Sequence, residues 1–427
     1  MNSFSPRRLF FLLLVLPLNL GAQSPFPAGG PRPLDYNTPA LLFPFLAGAP
    51  EIRSRAAVLI DTETGTVLYV KNQDEEIPPA SLTKLMTIHL VLNAAAAGSV
   101  SLDDIVPIGP ESWAINQPPR SSLMFLAPGQ TVTLREILLG LAVSSGNDAA
   151  VAAALSTAPT VRDFVSLMNF EARRMGLVKT RFTEPSGVSE NNMTTAGEFA
   201  LFCREYLFLH PESLAEYHSV ERFAYPKAQN TAAAFRDNSR TITQNNRNAL
   251  LKTFPGVDGL KTGYIDEAGY NIALTAEREG TRLIAVILGA PADPGGDRLR
   301  DEDGAKLLSW AFANFKTVRP PAGDLEPARL WKGKANWARL KPAEGAARRP
   351  ESFTAPAGRA GSLRFTVEIA DPLTAPLPAN YPVGNLVFFD ERGELHRVPL
   401  LTESAYERGN IFKRIWHSIR LLFYKKG

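Results

Sequence analysis

One helical stretch constrains the fold more than any other part of the chain. Residues 81–97, SLTKLMTIHLVLNAAAA, are apolar on almost every side when drawn as a helix. Such a helix is stable only where the surrounding protein covers it on all sides. A chain of 427 residues with 45% apolar content is large enough to build that core. Lys84, the charged residue of this stretch, is therefore expected to be buried.

The segments on either side of this helix predict a sheet. AAVLID and TVLYVK flank the turn TETG, and YNIALTAERE and TRLIAVILGA are joined at Gly280, so each pair predicts a β-hairpin. Strands at both ends with helices between them predict an α/β or α+β domain, residues 51–318, with an antiparallel sheet flanked by helices. The helical patterns cover residues 134–143, 148–156, 161–177 and 305–315.

The character of the chain changes near Pro320. LRFTVEIA alternates, with Leu363, Phe365, Val367 and Ile369 on one face, as in a half-buried strand. NLVFFDERGELHRVPL then predicts a hairpin. Residues 319–408 are therefore predicted to form a small all-β domain.

Residues 409–427 predict an amphipathic helix. A basic helix with aromatic residues favours lying on an anionic membrane surface, so residues 410–427 are predicted to attach the protein there. The alternative is a helix docked on the β domain. Its apolar side would carry Ile411, Phe412, Ile415, Trp416, Ile419, Leu422 and Phe423, and its polar side Lys413, Arg414, His417, Arg420, Lys425 and Lys426.

The first residues predict export. Arg7 and Arg8 precede an apolar run and then small residues, which is typical of a signal peptide over residues 1–24, with cleavage after Ala22 or Ser24. Residues 25–50 are rich in proline and glycine and predict an extended leader. With the terminal helix, this places the protein on the periplasmic face of the cytoplasmic membrane. Cys203, the single cysteine, leaves no internal disulfide.

Several functional classes have no support in the sequence. The net charge of +3 does not favour a nucleic-acid partner. The chain has no HExxH and no Gly-x-Ser-x-Gly motif, and its five histidines have no metal-ligand spacing, so neither a metal nor a cofactor is predicted.

The motif PASLTKLMT places Ser81 and Lys84 three residues apart on one helix face, close enough for the amine to contact the hydroxyl. In the first helical turn the N–H of Ser81 is free to bind an oxyanion. Lys84 can act as a base if burial and a second cation lower its pKa. A surface lysine would stay charged, and the apolar surroundings favour the buried alternative.

Two further motifs follow in order. SSGNDAA contains Ser145-Gly146-Asn147 at the start of a helix, and VDGLKTGY contains Lys261-Thr262-Gly263 before a strand. Each motif is common when it occurs alone, and Ser189-Glu190-Asn191 also matches the loose Ser-x-Asn pattern. Together with SxxK, in this order, they form the signature of the penicillin-recognising serine acyl-transferases.

Longer phrases resemble one branch of that group, the low-molecular-mass penicillin-binding proteins that are D-alanyl-D-alanine carboxypeptidases of peptidase family S11. The resemblance covers about residues 50 to 318. It implies a penicillin-recognising serine transpeptidase/β-lactamase-like domain acting on peptidoglycan stem peptides and binding β-lactams. The phrases include SSLMFLAPGQTVTLREILLGLAVSSGNDAA, NNRNALL, AGYNIALTAEREGTRLIAVILGAP and RDEDGAKLLSWAF.

The resemblance implies catalytic roles for specific residues. Ser81 would be the acylated nucleophile, Lys84 its proton acceptor, and Ser145 a proton relay toward the leaving D-alanine. Asn147 would hold the peptide carbonyl of the substrate. Lys261 would keep the field positive, and Ser145 would be bonded between the two amines.

Other matching residues would bind substrate. Thr262 would contact the terminal carboxylate, Gly263 would let the substrate approach as an added strand, and the N–H of Tyr264 would be a second oxyanion donor. Arg247 and Arg300 are candidates to pair with the carboxylate, because a planar guanidinium suits a free chain end. The alternative for either arginine is a surface ion pair.

The chain departs from the family pattern at two positions, and three other functions are alternatives to this one. Tyr264 stands where many relatives have histidine, and Glu184 where the family usually has asparagine. A D,D-endopeptidase would use the same residues in a differently shaped groove. A serine β-lactamase would need a carboxylate that activates water, for which Glu184 is the candidate. An inactive envelope scaffold is the third alternative.

Overall fold

The computed structural model describes residues 33–35, 48–231, 240–321, 325–344 and 351–424. The predicted signal peptide, most of the predicted leader, and Lys425 and Lys426 lie outside the described residues. Within the described ranges, no helix combines the length and the apolar character needed to cross a bilayer.

Strands are found in both regions predicted to form sheets, residues 51–318 and residues 319–408. They are β1 Ala56–Asp61, β2 Val67–Lys71, β3 Ile105–Val106, β4 Val132–Thr133, β5 Arg222–Tyr225, β6 Ile242–Asn245, β7 Val257–Ile265, β8 Gly269–Arg278, β9 Thr281–Ala290, β10 Phe315–Val318, β11 Ala328–Trp331, β12 Trp337–Ala338, β13 Leu340–Pro342, β14 Phe353–Pro356, β15 Arg364–Ile369, β16 Leu373–Thr374, β17 Pro382–Asp390 and β18 Gly393–Thr402.

Most helices lie between β2 and β7. The α-helices are α1 Thr83–Ala96, α2 Leu134–Leu139, α3 Asn147–Thr157, α4 Val161–Arg174, α5 Ala196–Leu209, α6 Leu250–Thr253, α7 Gly296–Asn314, α8 Ala357–Ala360 and α9 Ile411–Leu422. A 3₁₀ turn, Ala80–Leu82, leads into α1, and a π-helical turn, Gly140–Ser144, follows α2.

A five-stranded antiparallel sheet forms the centre of the first domain, in the order β2-β1-β9-β8-β7. It confirms both hairpins predicted from the sequence. Strands from the start and the end of the domain meet where β1 pairs with β9. β7, which carries Lys261-Thr262-Gly263, lies at the edge, so no other described strand pairs with one side of it.

The helix predicted to be enclosed is enclosed over its first turns. Every residue of Thr83–His89 is buried, whereas Asn93 and the alanines after it are partly or fully exposed. The amphipathic helix α4 packs its apolar face toward the same core and caps its first turn with Thr160. The core therefore surrounds the part of α1 that carries Lys84.

The β domain has its own apolar core around Leu386, Val398 and Leu400, covered by the sheet β13-β18-β17-β15. The prediction for LRFTVEIA is wrong in one respect. Phe365 and Val367 of the alternating face are exposed. β15 is an edge strand paired only with β17 among the described strands, and no second layer covers the centre of its apolar face.

The terminal helix α9 docks on the β domain through its polar side. Lys332 donates its N–H to Nδ1 of His417 at 2.8 Å, and the rings of His417 and Tyr424 pack edge-on against Trp331. His417, predicted on the solvated side, is therefore buried. The apolar side points away from the protein, with Phe412 80% and Leu422 81% exposed.

Candidate active site

A cleft of about 410 Å³ lies between the N-terminus of α1 and the free edge of β7. The residues predicted from the sequence that line it are Ser81, Ser145, Arg247, Thr262, Gly263, Tyr264 and Arg300. Lys84 and Lys261 are buried behind the lining hydroxyls of Ser81 and Ser145 and bond to them, and the buried Asn147 bonds to Lys84. Three stretches far apart in the sequence thus meet at one place.

Ser81 and Lys84 are in direct contact. Nζ of Lys84 lies 3.0 Å from Oγ of Ser81, 2.8 Å from Oδ1 of Asn147 and 2.5 Å from the backbone oxygen of Ser186. The two carbonyl oxygens can only accept hydrogen bonds. A neutral amine that donates to both keeps its lone pair for the hydroxyl of Ser81, which is the arrangement a general base needs.

Burial lowers the pKa of Lys84 to about 7. The Lys84 side chain has no solvent exposure, and desolvation disfavours its charged form. The carboxylates of Glu184 and Asp148 oppose this effect by raising the pKa, and the guanidinium of Arg247 lowers it further. A substantial share of Lys84 is therefore neutral near pH 7.

Ser145 is presented by a strained backbone. It follows the π-helical turn with φ of +58°, a left-handed conformation that costs a serine about 1–2 kcal/mol. Its Oγ receives a hydrogen bond from Nζ of Lys261 at 3.0 Å. The hydrogen bonds of Lys84 go elsewhere, so Ser145 is bonded to one amine and not to both as expected.

The side chain of Lys261 is also buried. Burial is the main reason that its pKa lies well below the usual value, and the charges of Lys84, Arg247 and Arg300 lower it further. Because repulsion between two cations is mutual, Lys84 and Lys261 titrate as a coupled pair. The site disfavours two protonated amines at once.

Asn147 joins two walls of the site. Its Oδ1 accepts from Lys84, and its Nδ2 donates to Oγ of Ser121 at 3.0 Å. A substrate carbonyl that binds Nδ2 would have to compete with Ser121. The neighbouring Asp148 accepts from the backbone N–H groups of residues 124–126 and so fixes the loop that carries Ser121.

Gly263 allows β7 to approach the nucleophile closely. A Cβ at this position would lie 2.9 Å from the oxygen of Pro79 and 3.0 Å from the nitrogen of Ser81. Real Cβ atoms rarely come this close to backbone. The sequence predicts that Gly263 makes room for substrate, and the structure adds that it makes room for the turn carrying Ser81.

The backbone of β7 directs alternate residues toward the cleft. The carbonyl oxygens of Leu260 and Thr262 accept from the side chains of His218 and Lys261, so they point away from β8. In an antiparallel pair, alternate residues face the same way. The N–H of Tyr264 therefore faces the free edge, on the same side as Ser81.

The two candidate arginines differ in their partners. Arg300 forms an ion pair with Asp301, with Nη2 to Oδ1 at 2.7 Å. No carboxylate among the described residues forms an ion pair with Arg247. Among the described residues, therefore, no carboxylate competes with an anion in the cleft for Arg247, whereas the guanidinium of Arg300 is largely neutralised.

Glu184 braces the loop beneath Lys84. Its carboxylate accepts from the N–H groups of Ser186 and Gly187 and from the side chain of Asn192. Gly187 packs against the turn before Ser81, since a Cβ there would lie 1.8 Å from the oxygen of Ala80. Glu184 therefore positions the Ser186 oxygen that binds Lys84.

Four residues that line the cleft were not predicted from the sequence. They are Arg120, Ser122, Tyr270 and Asp297. None belongs to a motif whose spacing carries chemistry, and each reaches the cleft because its loop or strand end packs beside the motifs. No pattern in the sequence could have identified them.

Comparison with known proteins gives a consistent result. A family model for the peptidase S11 D-alanyl-D-alanine carboxypeptidases matches residues 44–292. The chain is 34% identical over 384 residues to D-alanyl-D-alanine carboxypeptidase DacC of Escherichia coli K12, covering 88% of this chain and 90% of that protein.

Solved structures agree. Penicillin-binding protein 5 of Haemophilus influenzae is 32% identical, with a TM-score of 0.71, and covers 85% of this chain and 100% of that one. Penicillin-binding protein D2 of Listeria monocytogenes in its cefotaxime-bound form is 29% identical, with a TM-score of 0.53, covering 62% of this chain and 99% of that one. These likenesses confirm the penicillin-recognising fold. The chain belongs to the peptidase S11 family of D-alanyl-D-alanine carboxypeptidases.

Proposed function

We propose that the protein, as a serine-type D-alanyl-D-alanine carboxypeptidase, removes the terminal D-alanine of peptidoglycan stem pentapeptides through an acyl-enzyme on Ser81. The observation that carries this proposal is the 3.0 Å contact between Oγ of Ser81 and the buried amine of Lys84. A lysine kept partly neutral at this distance can take the proton of the hydroxyl as the hydroxyl attacks.

Acylation begins when Oγ of Ser81 bonds to the carbonyl carbon of the penultimate D-alanine. The proton passes to Lys84, and the N–H groups of Ser81 and Tyr264 bind the oxyanion. The amine of Lys84 donates to Asn147 and Ser186 before and after this transfer, so these contacts need no rearrangement. Arg247 and Thr262 hold the terminal carboxylate.

The peptide bond then breaks, and the D-alanine nitrogen takes the proton that Lys84 received from Ser81, relayed through the hydroxyl of Ser145, which Lys261 orients. Water attacks the ester on Ser81 and releases the shortened peptide. A β-lactam acylates the same hydroxyl, with its ring opening in place of the peptide bond. The likeness to a cefotaxime-bound penicillin-binding protein supports this substrate class.

The position of Glu184 bears on the β-lactamase alternative. Its carboxylate is occupied by the backbone and side-chain donors of its own loop. A carboxylate held in this way is poorly placed to activate water, which favours slow release of a bound penicillin. The endopeptidase alternative differs in groove shape, and cleavage of a cross-linked dimer tests it.

The terminal helix supports attachment to a membrane surface after export. Its apolar side faces away from the β domain, since docking uses His417 and Tyr424. Ile411, Ile415 and Ile419 therefore remain free to enter the interface of a bilayer. We propose that the protein lies at the periplasmic face of the cytoplasmic membrane.

Incubation with a stem pentapeptide tests the proposal directly. Mass spectrometry is expected to show loss of one alanine, and labelled penicillin is expected to give a covalent adduct. Ser81→Ala is expected to lose both reactions while its circular dichroism spectrum stays that of the wild type. A covalent label on the folded Ser81→Ala variant would exclude Ser81 as the nucleophile.

A further inference from the structure

An ion pair at the mouth of the cleft joins its two walls. The guanidinium of Arg120 lies 3.6 Å from the carboxylate of Asp266. Arg120 lines the cleft, and Asp266 lies in the turn between β7 and β8. The side chains are 88% and 61% exposed, so a ligand can reach both. Neither residue belongs to the three sequence motifs.

The fold holds Arg120 in a conformation that arginine rarely adopts. Ser121 donates its N–H to the oxygen of Pro118 at 3.2 Å, which closes a turn with Arg120 at its third position. The φ of Arg120 is +64°, as in type II turns, where glycine or asparagine is usual. The turn therefore presents an arginine at the cleft although its backbone favours a smaller residue.

Asp266 is held from the other side. Its Oδ1 accepts the hydroxyl of Tyr264 at 2.7 Å, and its Oδ2 faces Arg120. The ring of Tyr264 packs on Tyr270 with centroids 4.3 Å apart. The tyrosine that replaces the histidine of many relatives thus orients this carboxylate. The guanidinium of Arg120 and the carboxylate of Asp266 therefore lie side by side, 3.6 Å apart.

The course of the substrate brings it to this pair, an argument that rests on the proposed function. With the terminal carboxylate at Thr262 and the scissile carbonyl at the N–H of Tyr264, the earlier residues continue along β7 toward Asp266. An extended strand advances about 3.3 Å per residue. The residue before the two D-alanines therefore lies beside Arg120 and Asp266.

We propose that Arg120 and Asp266 form a subsite for a stem-peptide side chain that ends in both an ammonium and a carboxylate, as that of meso-diaminopimelate does. Arg120 binds the carboxylate and Asp266 binds the ammonium. Their own ion pair is exposed and contributes little in water, so the ligand exchanges one weak contact for two. A lysine side chain offers only an ammonium, so it makes only the contact with Asp266.

The test compares two pentapeptides that differ only in lysine or meso-diaminopimelate at the third position. The wild-type full chain is expected to favour the diaminopimelate peptide in kcat/KM by about five-fold, the upper end of the range for one exposed ion pair. Arg120→Gln is expected to bring this ratio to about 1, and Arg120→Lys to leave it between. Asp266→Asn is expected to lower kcat/KM on both peptides alike, by about three-fold.

Arg397→Gln is the matched control. Arg397 is an exposed arginine paired with Glu368 in the β domain, far in sequence from the cleft, and its loss is expected to leave both values unchanged. An unchanged ratio in Arg120→Gln, with both peptides still hydrolysed, overturns the subsite and leaves the carboxypeptidase activity standing. If the wild type releases alanine from neither peptide, the proposed function fails and the subsite with it.

Discussion

The amine of Lys84 donates to the backbone oxygen of Ser186 at 2.5 Å, although Ser186 lies 102 residues further along the chain and belongs to none of the three motifs. This contact and that with Asn147 occupy two N–H groups of the amine. The third direction is left for Ser81. The loop of Glu184 therefore helps to orient the amine of Lys84, as the helix that carries Lys84 also does.

The pH dependence of acylation reports the charge of Lys84. Since the base is the neutral amine and its pKa is about 7, the acylation rate constant for a labelled penicillin is expected to rise with pH through about 7 and then level off. Arg247→Gln removes a cation that lowers this pKa, so the rising limb is expected to move to higher pH. A limb that stays in place would contradict this coupling.

The two cleft arginines are expected to differ in substrate binding. Arg247→Gln is expected to lower kcat/KM on a pentapeptide about 10- to 100-fold, the range of a lost hydrogen bond to a charged group. Arg300→Gln is expected to cost less, because Asp301 already neutralises that guanidinium. Thermal unfolding of both variants separates binding from stability, and a larger effect at Arg300 would reverse the assignment.

Glu184 is expected to act on the fold and not on water. Glu184→Ala leaves several donors without an acceptor, at about 1–3 kcal/mol for each buried group, so the melting temperature should fall by several degrees. Glu184→Gln keeps the shape and is expected to leave the lifetime of the penicilloyl-enzyme within about two-fold. A lifetime lengthened a hundredfold in Glu184→Gln would instead identify a deacylating carboxylate.

Membrane binding is expected to depend on the exposed side of α9. Phe412→Ser is expected to weaken binding of the protein to vesicles containing phosphatidylglycerol at least about ten-fold, because a large apolar group no longer enters the interface. Binding is also expected to weaken as salt is added. Sedimentation with vesicles measures both effects.

Phe365→Ser provides the control for this experiment. Phe365 is likewise an exposed phenylalanine, but it lies on β15 of the β domain. Equal losses of vesicle binding in both variants would move the contact surface from the helix to the β domain.

The sequence alone predicted the elements whose evidence is local. The two hairpins, the buried helix and the three motifs all follow from periodicity and from residue types at short spacing, and the structure brings the motif side chains to one cleft. Short spacing is sufficient for Ser81 and Lys84, because one helical turn brings them together wherever that helix lies.

Only the tertiary structure decided which groups are covered and which are free. Arg247 and Arg300 are chemically alike in the sequence, but among the described residues a carboxylate pairs with Arg300 and none pairs with Arg247. The terminal helix was predicted to have a polar and an apolar side, with docking on the β domain as the alternative, but the sequence did not show that His417 of the polar side would make the contact. Such outcomes depend on the relative placement of elements far apart in the chain, and a local pattern carries no information about that placement.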